Sequence, residues 1–66
     1  MTTEQNKLSY TTLKKEWSIS CKNYITLGLQ HDGTYIIVED STKQLTYPVR
    51  TIETANEYFE YYVNKI

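Results

Sequence analysis

Three features of the sequence predict an α+β fold, an antiparallel three- or four-stranded β-meander packed on one face by a C-terminal amphipathic helix. Apolar residues alternate with a period of two between Trp17 and Leu29, Asp32-Gly33 stands between two β-rich runs, and Ile52, Ala55, Phe59, Tyr62, Val63 and Ile66 recur at helical spacing. The chain has 66 residues, 39% of them hydrophobic and 23% charged, which is room for one small domain and none for a two-domain enzyme. Residues 9–66 make up that domain. Residues 1–8 are polar and aperiodic, and read as a flexible N-terminus.

Taken in chain order, Tyr10, Leu13 and Trp17 fall at helical spacing with Ser9 as an N-cap, while the β-branched Thr11 and Thr12 oppose a helix. A short N-terminal helix and an irregular segment therefore both stay open for residues 9–16. From Trp17 the period becomes two: Trp17, Ile19, Cys21, Ile25, Leu27 and Leu29 are all odd-numbered. A strand of that length is far beyond the usual five or six residues, so Lys22-Asn23 marks a bulge or a turn, and a three-residue loop over Lys22, Asn23 and Tyr24 keeps Ile19 and Leu27 facing alike. Asp32-Gly33 has the chemistry of a type I′ hairpin turn, which sets Leu29 opposite Ile36 and Leu27 opposite Val38. A second turn over Asp40, Ser41, Thr42 and Lys43 brings Val38 to Leu45 and Ile36 to Tyr47, with Val49 ending an edge strand that Pro48 interrupts. The final helix takes Thr51 as N-cap, with Glu53 in its first turn and Lys65 in its last, each of the sign the helix dipole favours. Phe59 and Trp17 then anchor the core.

Charge and composition exclude several classes of function. Seven basic and eight acidic side chains leave a net charge of -1, a poor footprint for nucleic acid, and the one basic doublet, Lys14-Lys15, is followed at once by Glu16 and reads as a solvated face. No run approaches the ~20 apolar residues of a membrane span. The chain reads as cytoplasmic. One cysteine and one histidine cannot complete a zinc site, and Cys21, alternating with Trp17 and Ile19, reads as a small hydrophobe of the core. His31 is the natural candidate for a general base, but it flanks a tight turn beside Asp32, and two neighbours on a hairpin tip do not make a pocket. Two glycines, Gly28 and Gly33, write no phosphate-binding loop. No catalytic residue, cofactor or metal is assigned, and the chain reads as a non-enzyme.

Two surfaces remain as candidates for partner binding. In the expected register, Tyr24, Thr26, Tyr35, Ile37 and Thr46 share the sheet face that the helix leaves open, and Ile37 between two tyrosines is an apolar surface of the kind found at interfaces. A protein partner or a second copy, the N-terminal segment, and plain exposed β-surface are the three readings of that face. The second surface is the acidic stripe Glu53, Glu57 and Glu60 along the helix, either a solvated face or one that meets a basic partner.

Strands followed by a helix, with Thr51-Ile52-Glu53-Thr54-Ala55 opening the helix straight after an edge strand, resemble the three-strand-plus-helix domains of phage integrase arms and of plant APETALA-type DNA-binding proteins. The resemblance is one of topology over the last two-thirds of the chain. It implies DNA binding through a sheet face rich in Arg and Lys, where this sheet offers Lys22 and Lys43, with Lys14 and Lys15 preceding it. An α-β-β-β-α order resembles a double-stranded-RNA-binding domain, whose phosphate-binding helix is basic where this one carries Glu53, Glu57 and Glu60. The reading that composition favours is a non-enzymatic protein-binding module. The Lys, Asn, Ile and Tyr bias of AT-rich coding suits a small phage or mobile-element accessory protein, and an integrase-arm-like nucleic-acid-binding domain is the alternative.

Overall fold

The computed structural model describes residues 9–64. An antiparallel sheet of β1 (Thr11–Ser18), β2 (Asn23–Leu29), β3 (Tyr35–Glu39) and the short β4 (Lys43–Gln44) runs in the order β1-β2-β3-β4. One helix, α1 (Ile52–Asn64), packs across one face of it. The expected α+β meander is the observed fold, and among the described residues no helix is long and apolar enough to cross a membrane.

Of residues 9–16 none is helical: Ser9 and Tyr10 precede the sheet in no regular element, and the remainder belong to β1. The helical look of Tyr10, Leu13 and Trp17 comes from a β-bulge at Leu13, where the pairing with β2 shifts from Thr12↔Gly28 to Lys14↔Leu27. One extra residue turns an odd separation into a shared face, so Tyr10 and Trp17, seven apart, lie on the same side of the sheet. Tyr10 covers Gly28 so closely that an added Cβ would stand 2.5 Å from its ring Cδ1.

The β1–β2 connection lies earlier than the sequence suggests, over residues 19–22, with Ser18 paired to Asn23. Lys22 takes a positive φ of 57° and donates its N–H to the Ser18 carbonyl at 2.8 Å. Ser18 is fully buried; its Oγ accepts the Cys21 N–H at 3.3 Å and donates to the Tyr62 carbonyl at 3.0 Å, tying the turn to α1. Ile19 is thereby left in the turn and 81% exposed, while Cys21, half-buried, packs against the core.

The Asp32-Gly33 turn forms, but not as type I′. Of the two, Gly33 alone has a positive φ, 87°. Its N–H reaches the Gln30 carbonyl at 3.0 Å and the Gln30 N–H reaches the Thr34 carbonyl at 2.8 Å, the pattern of a type I turn closed by a glycine bulge. The Asp32 carboxylate takes both the Thr34 N–H and its hydroxyl, at 3.0 and 2.6 Å, which holds Asp32 out of the left-handed region that a type I′ turn needs. The loop gains a residue and the register moves by one: Leu27 faces Ile37, Gly28 faces Ile36 and Leu29 faces Tyr35. The type I′ backbone appears instead at Asp40-Ser41, with φ of 56° and 64°. There Glu39 pairs with Lys43 and Val38 with Gln44, again one residue from expectation.

A one-residue slip exchanges the faces of a strand. Tyr35 and Ile37 therefore look toward α1, and the core is Ile25, Leu27, Ile37, Ala55 and Phe59, bordered by Cys21, Tyr35, Leu45, Val49, Tyr62 and Val63. Ile36 and Val38, expected beneath the helix, lie on the opposite face, where they and Thr26 are nonetheless buried. Tyr47, expected inward, is 90% exposed, because β4 ends at Gln44 and the chain returns to the sheet only at the Tyr35↔Val49 bridge. Trp17 is half-exposed and does not anchor the core.

The helix begins where expected. The Thr51 Oγ1 accepts the Thr54 N–H at 3.3 Å, and Ala55 N–H reaches the Thr51 carbonyl, so Thr51 is the N-cap. Lys65, Ile66 and residues 1–8 lie outside the described residues.

Truncating Phe59 to Ala removes the largest fully buried side chain and is expected to cost about 3–5 kcal/mol, most of the stability of so small a domain. Trp17→Ala should cost no more than about 1.5 kcal/mol, and Glu57→Gln on the exposed helix face about 0.5 kcal/mol or less. Urea melts of the three variants check the order. Gly28→Ala should destabilise by about 1–3 kcal/mol through its clash with Tyr10, and less when Tyr10 is also Ala.

Candidate functional site

The end of the β1–β2 hairpin carries the most distinctive exposed side chains among the described residues. Trp17 and Tyr24 are direct cross-strand partners on the sheet face away from α1, and their rings meet edge to face with centroids 5.1 Å apart. Both stay about half-exposed, at 51% and 48%. The Lys15 ammonium lies 5.1 Å from the centroid of the Tyr24 ring, within cation–π range. Ile19 projects from the adjoining turn. Two aromatic rings, an aliphatic tip and a lysine thus form one amphipathic patch, held in place by the buried Ser18 and by the strand pairing behind it.

The residues singled out from the sequence do not form one surface. Tyr24 remains on the outward face, half-exposed, and Thr26 shares that face but is buried. Tyr35 and Ile37 turn toward the helix, Ile37 fully buried, because of the register shift. Thr46 is partly buried, and its Oγ1 finds no hydrogen-bond partner among the described residues. Glu53, Glu57 and Glu60 are exposed along α1 as expected, with Glu60 Oε1 accepting from Asn64 Nδ2 at 3.0 Å. Trp17 and Ile19 were missed as surface residues, while Lys15 lies on the surface as expected. The signal for them is a four-residue turn over residues 19–22, which makes Trp17 and Tyr24 cross-strand neighbours.

The β2–β3 turn carries His31 and Asp32. His31 Nε2 lies 3.5 Å from Ser9 Oγ, both exposed. A Ser–His pair needs a third group to orient the imidazole, and the neighbouring Asp32 carboxylate is bound to Thr34 instead. Among the described residues no cluster of three or more His, Cys, Asp or Glu could hold a metal ion. Lys14, on the helix side of β1, donates to Asn56 Oδ1 at 3.1 Å and sits 5.6 Å from the centroid of Phe59, sealing the core edge. No family model, curated protein or solved structure matches the chain.

The Thr34 hydroxyl, and then its N–H, hold the Asp32 carboxyl below its ordinary 3.8. A carboxyl lowered on folding contributes stability that is complete above the unfolded value and is lost as pH falls through the folded one. An NMR titration should place the Asp32 midpoint below 3.8, and Thr34→Val should raise it. An unchanged midpoint in that variant would show that the hydroxyl does not set it.

Proposed function

We propose that this chain is a non-enzymatic protein-binding module that acts in the cytoplasm by burying the tip of its β1–β2 hairpin against a protein surface. The observation that carries the reading is the Trp17–Tyr24 pair: two rings packed edge to face by strand pairing and left half-exposed. Tryptophan and tyrosine give large contact area for few rotatable bonds, and both are enriched where interfaces concentrate their energy. The Lys15 ammonium and the exposed Ile19 add a polar rim and an apolar tip to the same patch. An accessory role in a phage or mobile element rests on the AT-rich style of the composition. The nucleic-acid alternative has less support: of the four lysines it invokes, Lys14 is turned to the helix side, and Ile36, Val38 and Thr26 are buried at the centre of the face that would read DNA.

The test is a bait pair, wild type and a Trp17→Ser, Tyr24→Ser double variant, used on lysate of the source cells, with the captured protein then purified and titrated against both. The double variant should keep its circular-dichroism spectrum and lose about 2 kcal/mol or more of binding, roughly thirtyfold in affinity. Equal affinity of the two would overturn the hairpin as the contact surface.

A further inference from the structure

We infer that the partner of the hairpin is a second copy of this chain, joined to the first through the outer edge of β1 so that the two sheets run on as one. The inference rests on the protein-binding reading and gives it an occupant. Among the described residues β1 is the longest strand and stands at the edge of the sheet, with Thr11 to Trp17 all exposed. Such an edge is a template for another strand where it stays regular, which here is the stretch from Lys14 to Ser18 beyond the bulge at Leu13.

Strand pairing decides which backbone groups are free. The Gln30 N–H to Thr34 carbonyl and Asp40 N–H to Tyr24 carbonyl bonds place the even residues of β2 toward β3 and its odd residues toward β1. Lys14, Glu16 and Ser18, opposite Leu27, Ile25 and Asn23, therefore bond inward, and the backbone groups of Lys15 and Trp17 point outward. A two-fold axis through Lys15 lets the outward groups of two β1 strands bond to each other in antiparallel fashion. In that register Lys14 of each copy stands opposite Glu16 of the other, on the same face and at the closer, non-hydrogen-bonded spacing, and its ammonium exchanges the neutral Asn56 Oδ1 for that carboxylate, which makes two cross-strand ion pairs. Registers shifted by two residues bring Lys14 onto Lys14 or Glu16 onto Glu16. The charge pattern Lys14-Lys15-Glu16 thus selects one self-pairing. The two Lys15 side chains meet at the axis, but each ammonium is drawn along its own strand pair over Tyr24.

Sedimentation over a concentration series up to about 1 mM tests the inference by charge exchange. Wild type should dimerise. Lys14→Glu and Glu16→Lys, each alone, place like charges opposite one another twice and should weaken the dimer about tenfold or more. Mixing the two variants should restore it, because Glu at one site then faces Lys at the other in both halves. Lys15→Pro tests the backbone: it removes an outward N–H that an edge strand can spare and, although it also takes away the like charges that meet at the axis, should abolish the dimer while the circular-dichroism spectrum stays folded. A wild type that remains monomeric, or a mixture no more associated than its components, would overturn the inference. A monomer that still binds a different protein through Trp17 and Tyr24 would do so while leaving the protein-binding reading intact.

Discussion

The closure of residues 30–34 is the constraint on which the rest of the structure depends. Gly33 supplies the single positive φ, the Asp32 carboxylate grips Thr34, and the pair of Gln30 backbone bonds adds one residue to the loop that two would have closed. That residue sets Leu27 against Ile37 rather than Val38. Since side chains alternate along a strand, it places Ile25, Leu27, Ile37 and Tyr35 beneath α1 and sends Ile36 and Val38 to the other side. Phe59 then closes the core from the helix, and Lys14 reaches over its edge from β1.

β1 gains its character from two local departures from a regular strand. The bulge at Leu13 brings Tyr10 onto Gly28, a position where any side chain would collide with the ring. The Ser18-to-Lys22 turn ends the strand early and leaves Trp17 and Tyr24 paired at the surface rather than inside. Large side chains that a core would absorb are in this way presented outward on a rigid scaffold, beside an outer edge whose hydrogen-bonding groups face away from the sheet.

Much of the fold was legible because it is written in strong local patterns. The helix of residues 52–64 has a full apolar stripe and a threonine cap, and both Gly33 and Asp40-Ser41 announce turns. Register was not legible, because Asp-Gly supports two turn types that differ by one residue, and the choice between them lies in the Asp32–Thr34 contact. The run Tyr35 to Val38 gave no correction, since apolar residues at 36, 37 and 38 suit either facing, and all three are buried. The candidate site was legible only in part. Tyr24 was placed on the outward face, but the helical spacing of Tyr10, Leu13 and Trp17 concealed a bulged strand, and Trp17 looked like core.

The register is tested most directly by nuclear Overhauser contacts between α-protons across β2 and β3. Leu27 and Ile37 form a non-hydrogen-bonded pair in the observed ladder, the arrangement that brings opposing Cα atoms to about 4.5 Å. Strong α-proton contacts between Leu27 and Ile37, Ile25 and Glu39, and Leu29 and Tyr35 are the predicted result. Contacts of Leu27 with Val38 and Leu29 with Ile36 in their place would contradict the account, returning Ile37 and Tyr35 to the open face of the sheet.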